Sequence, residues 1–263
     1  MESDPILLQQ RDGVFTISLN RPQVLNSFNS AMAAALRAAL QQAAGDVTVR
    51  AVLLAANGRA FCAGQDLAEV LPGADGVMPD LGEIIRRDYN PIIRAIRTLE
   101  KPVVCAVNGV AAGAGANLAF ACDITIAGDS ASFIQSFARI GLIPDGGGTF
   151  ILPRIVGLQR AAALTMLADK LPAADAKNWG LVFDVVPDAE LHDRAMAMAL
   201  RLAAMPTRGI ALSKRGLNAS FGHTLDEQLD LEEQLQREAG RTADYAEGVR
   251  AFLDKRKPVF EGR

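Results

Sequence analysis

Short apolar runs recur between turns and helical stretches, and they constrain this chain's fold more than any other feature. Arg50–Ala56 (RAVLLAA) and Pro102–Val107 (PVVCAV) lack polar–apolar alternation and read as buried strands. Residues 5–10 and 14–20 read as strands around Asp12-Gly13, a favourable hairpin turn. Asn29 or Ser30 can cap an Ala-rich helix over 31–44. The spacing of Leu81, Ile84, Ile85, Ile92, Ile93 and Ile96 predicts a helix over 81–98 that Pro91 bends or breaks. A small-residue helix is expected over 112–122, with strands at 123–127 and 131–135. Further on, helices are expected over 150–156, 158–168, 173–179, 188–204, 207–219, 225–238 and 243–254, with 182–186 the one strand among them. The turn-rich segment 72–80 reads as a surface loop. Strands and helices alternate to about residue 186, so the pattern predicts an α/β core with a helical C-terminal extension.

Composition narrows the function classes. Half of the 263 residues are hydrophobic but only 5% are aromatic, so the core must be built mainly from Ala, Val, Leu and Ile. With 27 basic and 30 acidic side chains the formal charge is −3. That balance gives no broad attraction to nucleic acid or to a membrane surface. Cys62, Cys105 and Cys122 are odd in number and lack CxxC spacing, which argues against a disulfide framework and fits a reducing cytoplasm. His192 and His223 lie far apart in sequence, so no metal site is expected. No basic-then-apolar leader is expected, nor a membrane span, because polar groups and helix breakers interrupt each long apolar run.

The chemistry points to Gly141–Thr149, GLIPDGGGT. Asp145 sits between an apolar run and consecutive glycines; poor solvation there raises a carboxyl pKa toward the range useful for proton transfer. The glycines permit a tight turn and close approach, and Thr149 can open a helix as its N-cap. The plain alternative is a Pro-Asp-Gly turn without chemistry. In Phe61–Leu67, FCAGQDL, Ala63-Gly64 is small enough for backbone approach, Asp66 can cap a following short helix, and Cys62 reads as a packed apolar residue. In Val110–Leu118, VAAGAGANL, the glycines do not complete a dinucleotide fingerprint. They fit a close-packed helix start, whose free N–H groups can face developing negative charge.

Taken together, NRPQVLNSF, GRAFCAGQDL, KPVVCAVNGVAAGAGANLAFACDITIAG, IGLIPDGGGTFILPRIVG and WGLVFDVV resemble, in order along nearly the whole chain, the enoyl-CoA hydratase/isomerase (crotonase) superfamily. The resemblance implies an α/β spiral of ββα units over 1–200 and a helical region over 201–263 for oligomerisation and active-site covering. It also implies homotrimers or dimers of trimers. Substrates would be acyl-CoA thioesters, with coenzyme A part of the substrate and no separate cofactor. By motif position the backbone N–H groups of Ala63 and Ala114 form the oxyanion hole, with Gly64 and Gly113 shaping it. Gln65, Asp66, Asn117 and Phe137 join Ala63, Gly64 and Gly113 in lining the substrate site. Family hydratases carry glutamates at the positions of Asn117 and Phe137, so the pattern departs from theirs and leaves Asp145 as proton carrier. The branch most similar is that of the ring-1,2-epoxyphenylacetyl-CoA isomerases of phenylacetate degradation. A Δ3,Δ2-enoyl-CoA isomerase, an enoyl-CoA hydratase and a non-catalytic acyl-CoA-binding protein are the alternatives.

Overall fold

Asp12 and Gly13 adopt left-handed φ values of 50° and 79°, and so close the hairpin between β1 (Ile6–Arg11) and β2 (Val14–Leu19). The computed structural model describes residues 4–72 and 76–263; residues 73–75 of the expected 72–80 loop lie outside them. Asn29 accepts a hydrogen bond from the Met32 N–H and caps α1 (Ser30–Gly45), which leads to β3 (Ala51–Ala56). The chain continues through β4 (Ala60–Cys62), a 3₁₀ turn (Leu67–Val70), α2 (Leu81–Ile84), a π-helical turn (Ile85–Tyr89) and α3 (Asn90–Thr98). Next come β5 (Val103–Val107), β6 (Val110–Ala112), α4 (Ala114–Ala121), β7 (Ile124–Gly128) and β8 (Ser132–Ile134). After α5 (Gly148–Leu167), β9 (Lys170–Pro172), α6 (Ala173–Asn178) and β10 (Asp184–Val186), the helices α7 (Leu191–Ala203), α8 (Thr207–Ala219), α9 (Leu225–Ala239) and α10 (Ala243–Leu253) complete the order.

From β3 to β8 successive strands fall alternately into two sheets. The larger has the order β1-β2-β3-β5-β7-β10 and the smaller β4-β6-β8-β9. All neighbours are parallel except β1–β2 and β8–β9. Each circuit thus lays one strand in each sheet before a helix returns the chain, giving a ββα spiral. Helices α1 and α3 cover one face of the large sheet through Leu36, Leu40, Ile92 and Ile96. On the other face α7 packs Ala195, Ala199 and Ala203 near Leu53, Val104 and Ile126. Small helix residues let the layers approach closely, in keeping with the low aromatic content. The corner between β5 and β6 needs glycine, because a Cβ on Gly109 would lie 2.3 Å from the Arg59 carbonyl oxygen.

Several local expectations change. The strands β4, β6 and β9 escape sequence reading because three residues are too few to show a period. Accordingly β10 is not the one late strand, and the helix expected from residue 112 starts at Ala114. Around Pro91 the 81–98 helix divides, with the π turn just before the proline. Thr149 is no cap: α5 starts at Gly148, after a left-handed Gly147 with no side-chain cap. By length and composition alone α5 is apolar enough to cross a membrane, with a hydropathy of 1.3. Gly157, at φ 77° and ψ 162°, breaks its helical path into shorter pieces. Gly109→Ala is expected to destabilise the fold by about 1–3 kcal/mol through overpacking at the sheet-to-sheet corner, read from urea unfolding midpoints.

Candidate active site

The loop from Arg21 to Ser27 supports one wall of the site from below. Leu25 and Asn26 hold left-handed φ values of 56° and 54°. Asn26 is fully buried, accepts from the Arg21 N–H at 2.7 Å, and donates to the carbonyls of Asn57 and Ala60 at 2.9 Å. This frame presents the Leu25 carbonyl to the Ala63 N–H at 3.0 Å. The Ala63 amide is therefore already spent, which corrects its assignment as an oxyanion donor. Phe28 then brackets the next segment, donating its N–H to the Gly64 carbonyl and accepting from the Asp66 N–H, each at 2.7 Å. Between them the Gln65 N–H has no acceptor among the described residues.

The second wall is the start of α4. Gly113, at φ 51° and ψ −123°, turns the chain out of β6, donates its own N–H to Ile134 at 2.8 Å, and leaves Ala114 as the first helical residue. The Ala114 N–H has no acceptor among the described residues, as befits a first-turn amide at the positive end of a helix. Gly64, at φ 93°, lets the walls meet: a Cβ there would lie 3.0 Å from the Ala112 oxygen and 3.7 Å from the Ala114 nitrogen. The free amides of Gln65 and Ala114 thus border one corner. Phe137 is buried beside it, its ring tip 3.5 Å from where a Gly113 Cβ would stand. Asp66 is committed to structure, capping the 3₁₀ turn through the Ala68 N–H and pairing with Arg21 at 3.0 Å. Burial pushes the Cys62 thiol up to about 12, so it is a packed residue rather than a nucleophile.

Asn117 organises the third wall. Its side chain is fully buried, donates to the Asp145 carbonyl at 2.8 Å and accepts from Gln135 Nε2 at 2.9 Å. With Nδ2 and Oδ1 each engaged inside the protein, its side chain positions the Asp145 loop. Gly148 is packed onto it, since a Cβ there would lie 2.5 Å from Asn117 Nδ2. The Asp145 carboxylate keeps one buried oxygen, Oδ1, without a partner. Burial raises its pKa to about 6, opposed by a hydrogen bond from its own backbone N–H. A site residue that sequence reading misses is Tyr89, a buried phenol whose hydroxyl donates to Gln65 Oε1. The signal available was a tyrosine interrupting an isoleucine-rich helix just before Pro91.

A buried carboxylate with one unpartnered oxygen, on a loop tied to the helix whose first amide is free, is thus set on a ββα spiral. The enoyl-CoA hydratase/isomerase family model matches residues 9–263. The chain belongs to the enoyl-CoA hydratase/isomerase family. It is 51% identical to the 1,2-epoxyphenylacetyl-CoA isomerase of Escherichia coli over 98% of both chains. It is 37% identical to the trans-2-decenoyl-(acyl-carrier-protein) isomerase of Streptococcus mutans over the full length of both. Among solved structures, an enoyl-CoA hydratase of Mycobacterium smegmatis superposes with a TM-score of 0.90 at 33% identity, covering 98% of this chain and 99% of that one. As a family member the chain is an enzyme of the hydratase/isomerase group, and the isomerase preference read from its sequence agrees with the epoxyphenylacetyl-CoA isomerase match.

The raised Asp145 pKa has a consequence for stability. A folded-state pKa of about 6 lies above the ordinary 3.8, so the fold binds this proton more tightly than the unfolded chain does. The cost of ionising Asp145 is absent below the ordinary value and fully expressed above about 6. Thermal melts are therefore expected to show Asp145→Asn raising Tm more at pH 8 than at pH 4.

Proposed function

We propose that this enzyme isomerises acyl-CoA thioesters through an enolate, with Asp145 as the proton carrier and the Gln65 and Ala114 N–H groups as the oxyanion donors. The observation that carries this reading is the Asp145 carboxylate, buried and partnerless at Oδ1, with no glutamate at the Asn117 or Phe137 positions. Hydration needs a polarised water held between acid and base groups. Here those positions hold an amide already bonded within the protein and a buried phenyl ring.

In the proposed reaction the thioester oxygen lies in the amide corner, and Asp145 removes the proton from the adjacent carbon. The charge that develops on the oxygen is met by both N–H groups and by the positive end of α4, each such donor contributing on the order of 3–4 kcal/mol. Asp145, now protonated, returns the proton at another carbon of the delocalised system. A double bond moves, and no atom is gained or lost. The same exchange suits a ring-1,2-epoxyphenylacetyl-CoA substrate rearranging to the isomeric oxepin thioester, with Asp145 managing the proton. That substrate is favoured by the identity to the Escherichia coli isomerase, and the same proton transfer would let the enzyme shift enoyl-CoA double bonds between positions 2 and 3.

The reaction calls for no cofactor beyond the coenzyme A of the substrate. Exposed Leu225, Leu229, Phe252 and Leu253 on α9 and α10 support a homotrimer, or a dimer of trimers, built through the 201–263 region. Reduced, buried Cys62, Cys105 and Cys122 suit a cytoplasmic enzyme.

Product analysis after incubation with epoxyphenylacetyl-CoA is expected to give the oxepin thioester; unreacted epoxide would remove that substrate. Asp145→Asn is expected to lower kcat by about 10²–10⁴-fold while thioester binding is kept, and unchanged turnover would defeat the mechanism. In the unmodified enzyme kcat/KM is expected to fall below a pH of about 6, as Asp145 becomes protonated and can no longer accept the substrate proton.

A further inference from the structure

Tyr89 lies outside every motif that marks this family in the sequence, yet it touches the centre of the candidate site. It ends the π-helical turn Ile85–Tyr89, and π turns inside helices re-aim a side chain that a regular helix would direct elsewhere. Its ring packs on Phe28, with centroids 5.7 Å apart. Phe28 is the residue whose backbone grips Gly64 and Asp66 on either side of Gln65. The Tyr89 hydroxyl donates to Gln65 Oε1. Gln65 is thus held by Phe28 along its backbone and by Tyr89 at its side chain, and its N–H is left free.

The same helical segment reaches the base. Ile93, one turn beyond Tyr89, packs on the glycines after Asp145: Cβ atoms on Gly146 and Gly147 would stand 3.9 and 3.8 Å from its side chain. The phenol also remains a donor while Asp145 ionises. Burial, then the neighbouring Cys62 and Asp145, push its pKa well above the ordinary tyrosine value.

We propose that Tyr89 is a positioning residue for the enolate-stabilising corner, its hydroxyl fixing Gln65 so that the Gln65 N–H points at the thioester oxygen. This rests on the isomerase reading for its chemistry. The claim about Tyr89 itself concerns polarisation of a bound thioester and requires no turnover.

The test is the carbonyl stretch of bound hexadienoyl-CoA, measured by Raman difference spectroscopy, in the unmodified enzyme, Tyr89→Phe, Gln65→Ala and the double variant. Tyr89→Phe keeps the ring on Phe28 and removes only the hydroxyl; Gln65→Ala keeps the backbone N–H and removes the side chain that Tyr89 holds. The unmodified enzyme is expected to shift the stretch to lower wavenumber, and Tyr89→Phe to lose at least half of that shift. For 3-enoyl-CoA, Tyr89→Phe is expected to lower kcat on the order of tenfold to a hundredfold with KM within about threefold, the pattern of a misaligned transition-state contact. In the Gln65→Ala background Tyr89→Phe is expected to cause no further loss, because both changes cut one chain of contacts. A full shift in Tyr89→Phe, losses that simply add in the double variant, or no shift in the unmodified enzyme would each overturn the proposal. Polarisation without isomerisation would defeat the isomerase reading and leave Tyr89 standing. Isomerisation with an unaltered Tyr89→Phe would do the reverse.

Discussion

The buried amide of Asn117 is the contact through which the spiral core governs the chemistry. It rises from α4, the helix whose first amide borders the oxyanion corner, and it holds the carbonyl of the residue that carries the carboxylate. The loop of the base and the Ala114 amide are therefore both fixed to one short, fully buried helix. Gln135 bonds the Asn117 oxygen from the segment after β8, which sets the amide's orientation. An unpaired buried amide would cost on the order of 1–3 kcal/mol, so this arrangement is strongly preferred over its alternatives.

The glycines belong to the same constraint. Gly148 lets α5 begin directly against Asn117, Gly64 lets the first wall meet α4, and Gly115 packs so closely that a Cβ would lie 2.4 Å from the Cys62 carbonyl. Each brings a backbone group within reach of the site where a side chain would otherwise intervene. The same packing strips water from Asp145, which raises its pKa and charges the fold for holding the ionised form. Reactivity and instability at this residue have one cause.

Much of this was legible in the sequence. Asp12-Gly13, the Asn29 cap, the buried runs at β3 and β5 and the helical C-terminal region all follow from turn chemistry, capping and periodicity. Asp145 stood out because the apolar run beside it solvates charge poorly and because, with Asn117 and Phe137 in place of glutamates, the family resemblance leaves it as the proton carrier. Of the smaller sheet only β8 was legible; β4, β6 and β9 were hidden, since these three-residue strands are set by pairing across the spiral rather than by local pattern. The donor shift from Ala63 to Gln65 was hidden for a related reason. Which amide is free depends on where Leu25 places its carbonyl, and that is fixed by Asn26 bonding to residues far along the chain. Tyr89 was invisible because its direction comes from a π turn, which the periodicity of a regular helix does not reveal.

The central claim is that one carboxylate both takes and returns the proton. It is tested most directly by following label from 3-hexenoyl-CoA dideuterated at C2 through isomerisation in ordinary water. A single Asp145 carrier predicts 2-hexenoyl-CoA with part of the deuterium delivered to C4, and little 3-hydroxyacyl-CoA beside it. Product with no deuterium at C4, formed together with 3-hydroxyacyl-CoA at a comparable rate, would contradict it.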